Sequence, residues 1–186
     1  MQRLISIHDT AFTRLLQVDW LLPTLARFLF AAILTGYYWA SAKTKLGDGI
    51  LGLFQPSAGA YTQIFPRAMD SAGYDTSQLT FFHWAVVTAG TWAEFVLPAL
   101  IVLGLLTRLS ALGMIGFVAL QTLTDLYGHG AISEPATVGA WFDTASGSVI
   151  LDQRALWVFL LLVLVVKGAG PASLDRLLSS AKQPLS

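Results

Sequence analysis

Cysteine is absent from these 186 residues. That excludes disulfides, thiolate metal sites, iron–sulfur ligation and direct thiol redox chemistry by this chain. Any redox role needs a bound organic cofactor, a histidine or carboxylate metal site, or a partner subunit. Charge is scarce as well. Only 12% of the residues are charged, against about 25% in soluble domains. Eleven basic and eleven acidic side chains cancel to a formal net charge of zero. With no basic surface to release counterions, nucleic acid is not an expected partner. Neither a nucleophile–base pair nor a phosphate-cradling glycine loop stands out, which argues against a self-contained hydrolase or kinase. The remainder is apolar: 55% hydrophobic, with a mean hydropathy of +0.64. This is the composition of an integral membrane protein, and the length suits a single domain, 1–186.

The longest apolar run is 81–106, FFHWAVVTAGTWAEFVLPALIVLGLL. It can cross a bilayer at about 1.5 Å per residue. Glu94 sits in its middle, where a carboxylate is costly unless it is neutral, paired or wetted. Three further spans are expected at 21–41, 109–127 and 153–170. Ala40-Ser41-Ala42 has the small-residue look of a signal-peptidase site, but Asp19 and Arg27 are wrong for a cleavable leader, so the first span is read as retained. Small residues Ala111, Gly113, Gly116 and Ala119 permit close helix approach in the third.

The fold expected is all-α: a transmembrane four-helix bundle with a short amphipathic N-terminal helix. In 1–20, apolar Leu4, Ile7, Phe12, Leu15, Leu16 and Val18 alternate with Arg3, Asp9, Arg14 and Asp19, the pattern of a helix lying on a lipid surface. In the outer loop 42–80, Tyr61, Ile64, Phe65, Ala68 and Met69 recur at helical spacing, so an interfacial helix is expected over 58–72. The second outer loop, 128–152, carries Trp141 and Phe142, whose exposure suits docking. Seven basic residues (Arg3, Arg14, Arg27, Arg108, Lys167, Arg176, Lys182) fall near one face and four (Lys43, Lys45, Arg67, Arg154) near the other. That bias places both termini inside.

Several short stretches taken in order resemble the DoxX family of small four-helix membrane proteins. They are Leu25-Ala26-Arg27-Phe28, Lys43 to Leu46, Phe65-Pro66-Arg67-Ala68-Met69, Glu94 with Gly104-Leu105-Leu106-Thr107-Arg108, and Gly168-Ala169-Gly170 before Ser173-Leu174-Asp175. The resemblance covers nearly the whole chain. It implies a bacterial inner-membrane location and a role beside redox, oxidative-stress or metal-handling partners; some members resemble the small membrane subunit of thiosulfate:quinone oxidoreductases. Where the family pattern often opens its last helix with Glu, this chain has Asp152-Gln153.

Two polar constellations are candidates for chemistry. His83, Val87, Gly90 and Glu94 share one face of the second span, and Gln121, Asp125 and His129 line one face of the third. The hairpin brings both sets toward the outer mouth. Donors among apolar walls suit a quinone head group, so His83, Gly90, Glu94, Gln121, Asp125 and His129 are expected to bind it. The plainer alternative is that His83 and Asp125 cap or staple helix ends. A third is a metal site at His83, Asp125 and His129. Arg27 and Glu94 are expected to meet inside the bundle as an ion pair or relay. Lys43 and Lys45 mark the outer boundary, though either can donate to a bound anion. The functional expectation is therefore a quinone-interacting subunit of a redox or stress-response system. The alternative is a non-catalytic anchor that recruits a membrane or periplasmic protein.

Overall fold

A computed structural model describes residues 2–16 and 18–181. Lys182 lies outside the described residues, as do the side chains of Leu4, Ile7, Arg14, Leu15 and Leu16. Among the described residues the chain is all-helical. In order, the elements are α1 (Gln2–Leu16), α2 (Leu21–Lys45), α3 (Ala58–Ile64), α4 (Pro66–Ser71), α5 (Phe81–Leu103), α6 (Thr107–Gly128), α7 (Pro135–Val138), α8 (Val149–Lys167) and α9 (Leu174–Ser180). Four of them, α2, α5, α6 and α8, are long and apolar enough to cross a membrane, at 25, 23, 22 and 19 residues. The chain is a multi-pass membrane protein.

These four helices pack in a ring. Each touches its neighbour in sequence, and α8 closes back on α2. The middle of the ring is mostly apolar. Phe30, Leu34, Ile101, Ala111, Met114, Leu161 and Leu164 are all buried there. Their burial follows the spacing of apolar side chains on one stripe of each helix. At one end of the ring, the cap end, α3 and α4 lie against α5 through Ala60, Tyr61, Met69 and Val87. The other end carries the tight α5–α6 turn.

Helix boundaries follow local chemistry. Gly104 ends α5 in the left-handed conformation (φ 67, ψ 40), three residues before the end of the expected span. The expected helix over 58–72 is two helices. Pro66 pushes Phe65 out of helical geometry (φ −127, ψ 59) and breaks the run there. The expected first span ends at Ser41, but α2 runs one more turn to Lys45. The fourth begins four residues earlier than expected, at Val149, and stops at Lys167 because Gly168 turns away (φ 81). Three π-turns interrupt the spans, at Ala31–Thr35, Thr124–Gly128 and Val149–Arg154.

The turn end is latched by the segment after α8. Arg27 donates to the Ala169 carbonyl at 2.8 Å and also to the Ala172 carbonyl. Asp175 accepts from the backbone amides of Leu106 (2.7 Å) and Thr107 (2.9 Å), the exposed donors at the start of α6. Its own amide returns a bond to the Gly104 carbonyl at 2.8 Å. Partial burial pushes the Asp175 carboxyl up, but the Thr107 and Leu106 bonds and the Arg27 charge outweigh it and hold the group below the usual carboxylate range. Gly104 has no room for a side chain: a Cβ there would stand 2.4 Å from the Arg27 guanidinium and 2.5 Å from Ser173.

Candidate functional site

Toward the cap end α5 and α6 draw apart around a cavity of about 1100 Å³. Its size is comparable to that of small-molecule sites, which run to about 1,000 Å³. The walls are made of small residues. Ala89, Gly90 and Ala93 face it from α5, and Gly113, Gly116 and Ala119 from α6. A Cβ placed on Gly116 would meet nothing within 4 Å. The groove closes at Gly113, where Leu97 comes so near that a Cβ would stand 3.2 Å from it. Exposed Phe82 and Leu120 at its rim leave the groove open on the side of the ring.

A charged pair lies against this apolar space. Lys45 reaches from the last residue of α2 to Glu94 on α5, with Nζ 3.0 Å from Oε1 and 2.9 Å from Oε2. Ser41, one turn before Lys45, accepts from Nζ at 2.7 Å and donates to Glu94 at 3.3 Å. The two charged side chains are only 6% and 5% exposed. Each charge is met by the other and by Ser41, so removing either partner would strand a buried charge. Pro98, four residues after Glu94, removes the amide that a regular helix would direct at the Glu94 carbonyl.

The expected Arg27–Glu94 pair is therefore replaced. Arg27 points to the carbonyls at the turn end, and the charge that meets Glu94 is Lys45. The physical reason is the extra turn of α2, which stacks Lys45 over Ser41 on the groove face instead of ending the helix at the boundary. A lysine spaced i+4 from Ser41 and i+8 from Tyr37 was the available signal.

Five of the six expected quinone-site residues do line the groove: Gly90, Glu94, Gln121, Asp125 and His129. His83 does not. Its Nδ1 accepts from the Thr80 amide at 3.2 Å, which closes the first turn of α5, and its ring stacks edge-on against Phe65 at 4.8 Å. Gln121 donates to the Tyr37 hydroxyl at 2.9 Å. His129 Nε2 lies 2.9 Å from the Gln63 carbonyl and so ties the end of α6 to the last turn of α3. Asp125 pairs with Arg154 of α8, which also donates to Thr122 at 3.0 Å. Arg154 was expected among the outer charges; it is buried instead, and only Asp125 of that pair is partly exposed.

The metal alternative finds no support in this arrangement. Among the described residues no group of three His, Cys, Asp or Glu side chains is placed to hold an ion. Asp125 is turned to a guanidinium, His83 to Thr80 and His129 to a backbone carbonyl. A second, smaller groove of about 650 Å³ lies on the other side of α6, between α6 and α8, and Trp141 covers part of it. Compared with known protein families, curated proteins and solved structures, the chain matches none. The groove and its ion pair are accordingly read on their own chemistry.

Proposed function

We propose that this chain is a DoxX-like inner-membrane protein that binds a quinone in the α5–α6 groove and serves a redox or stress-response system as a membrane subunit. The observation that carries the reading is the buried Lys45–Glu94–Ser41 cluster inside a mostly apolar groove that opens sideways. A membrane-dissolved amphiphile enters such a groove from the bilayer and leaves its tail there. Its head then meets one strong donor and one strong acceptor. Lys45 suits a quinone carbonyl, which accepts. Glu94 suits a quinol hydroxyl, which donates. One pair thus serves both redox forms without rebuilding the site. Gln121 and Asp125 add polar edges, and Ala and Gly walls leave room for a flat ring.

Orientation in this reading follows the basic residues. Lys45 and Arg154 are consumed in buried pairs. Of the four basic residues assigned to the cap end, that leaves Lys43 and Arg67 exposed. The bias toward a cytoplasmic turn end and a periplasmic cap is then steeper than the raw count. The N-terminal helix α1, with Ile5 and Phe12 outward, is read as lying on the inner membrane surface, and α3–α4 as an interfacial cap.

The alternative, an anchor that recruits a periplasmic protein, draws on the cap itself. Phe142 is fully exposed and Trp141 is 63% exposed. Native mass spectrometry of the protein in mild detergent, with quinone extraction from the same sample, separates the two. A stoichiometric quinone that disappears in Lys45→Met and in Gly116→Leu supports the groove reading. A bare chain carrying a protein partner, with no quinone in any variant, refutes it.

A further inference from the structure

The polar lining of the groove is gathered toward one end. Glu94 lies thirteen residues from Phe81 and nine from Leu103 on α5. By helical rise that is about 20 Å from the cap end of α5 and about 14 Å from its turn end, while Lys45 is the last residue of α2, at the cap end of that helix. The turn end is the closed one. Leu97 fills the space at Gly113 directly below the pair. Beneath that contact Phe30, Leu34, Ile101, Ala111 and Met114 form an apolar layer that is at most 1% exposed. Beneath the layer, the Arg27 and Asp175 latch ties off the turn end.

The farther end carries the polar ladder. Tyr37 and Gln121 stand beside the groove, then Asp125 with its partner Arg154, then His129 at the mouth. The charged and titratable groups near the pair are thus Tyr37 and Tyr38 from α2, Asp125 from α6, His129 just after it, and Arg154 from α8. Gln121, Asp125 and His129 line the same groove as Glu94. Water at the turn end faces a layer too closely packed to admit it.

We propose that the Lys45–Glu94 pair is a proton-exchange station open to the cap-side aqueous phase alone. The inference rests on the groove reading for its ligand: a hydroxyl O–H breaks as a Glu94 O–H forms, no electron moves, and the proton leaves through the groove to the cap side. Protons taken up or released at the bound ligand are then drawn from one face of the membrane.

The absence of cysteine makes the test direct. Single substitutions Ala93→Cys and Gly116→Cys put a thiol on each groove wall at the level of the pair, and Gly116 has free space for it. Ala111→Cys puts one in the apolar layer. Phe142→Cys on the exposed cap loop and Ser180→Cys on the exposed face of α9 mark the two sides. Each variant is reconstituted into vesicles of biased orientation and treated with a membrane-impermeant trimethylammonium thiosulfonate. The expected result is that Ala93→Cys and Gly116→Cys label to the same extent as Phe142→Cys, and Ala111→Cys not at all. Labelling that follows Ser180→Cys, labelling from both sides, or unreactive groove thiols in vesicles whose markers react would each overturn the proposal. The assay contains no quinone. One-sided labelling without quinone in the extraction experiment would leave the wet path standing and remove only its ligand.

Discussion

Replacing Lys45 by methionine keeps most of the side-chain volume and strips Glu94 of its counter-charge. The size of the effect follows from the geometry. At the 2.9 Å separation of Lys45 Nζ and Glu94 Oε2, and an effective dielectric of about 20, the attraction is about 6 kcal/mol. Much of that is offset by taking both ions out of water, but a lone buried charge keeps the penalty and loses the attraction. Removal of one partner is expected to cost about 3–5 kcal/mol, at the low end where groove water reaches the carboxylate. Glu94→Gln should cost a comparable amount, because it leaves the ammonium uncompensated. The double variant should recover most of the loss. Reversible unfolding in mild detergent measures all three. Arg27→Met is the control, since Arg27 bonds the Ala169 and Ala172 carbonyls and its loss should add to Glu94→Gln without coupling. If the two lysine-pair singles each cost less than about 1 kcal/mol and simply add, the pairing argued above is wrong. If instead Arg27 couples to Glu94, the sequence expectation was right and the Lys45 contact is not.

Other outcomes follow from neighbouring features. Gly116→Ala should stabilise the protein by about 0.5–1 kcal/mol, because the new methyl enters open space on a helix; Gly116→Leu should fold as well yet lose any co-purifying amphiphile, read by melting and by lipid extraction. Asp125→Ala strands the Arg154 guanidinium in a buried place and should cost about 3 kcal/mol, whereas Arg154→Met leaves a carboxylate that water reaches and should cost less. Asp175→Asn should cost about 1 kcal/mol after screening, since it weakens two amide bonds to a partly exposed carboxylate. The folded-state carboxyl is held below its ordinary range, so its stabilisation is full above the unfolded carboxylate range. It is lost as pH falls through the lower folded value. Melting followed from neutral to acid pH should show a component of acid loss that is missing in Asp175→Asn.

The four spanning helices were legible from apolar runs, because lipid demands about 20 such residues in a row and nothing in the chain mimics that. Their ends were less so. Pro66 at the centre of an otherwise helical pattern was read through, and it broke the helix. The groove was half legible. Gly90, Glu94, Gln121, Asp125 and His129 shared helical faces, and helical spacing is enough to bring such residues to one side. Lys45 and Arg154 escaped because charges near span ends are ordinarily boundary markers that reach for water. Here both turn inward, to acids on other helices. Which charge meets which depends on how far each helix runs and how it is rotated, and composition carries neither. His83 matched the face of Glu94 but sits in the first turn of its helix, where capping Thr80 takes precedence over the groove.

The π-turn at Ala31–Thr35 has a consequence for how this helix tolerates change. From Ala26 to Ala42 the buried residues of α2 run Ala26, Phe30, Leu34, Tyr38, Ala42, in steps of four. In a regular helix each such step overshoots a full turn by about 40°, so the stripe would drift around to the outside. The wider turn absorbs part of that drift. Deleting one residue between Ala31 and Thr35 would leave an uninterrupted α-helix of nearly the same length and hydropathy. Because a π-turn holds one residue more than the α-turn it replaces, removing that residue keeps the faces before and after it nearly aligned and leaves Ser41 and Lys45 on the groove. The same deletion between Tyr37 and Ser41, in regular helix, would swing Ser41 and Lys45 through about 100° and carry them off it. A one-residue deletion, ordinarily the crudest of lesions in a membrane helix, is thus absorbed at the π-turn and dismantles the site one turn later.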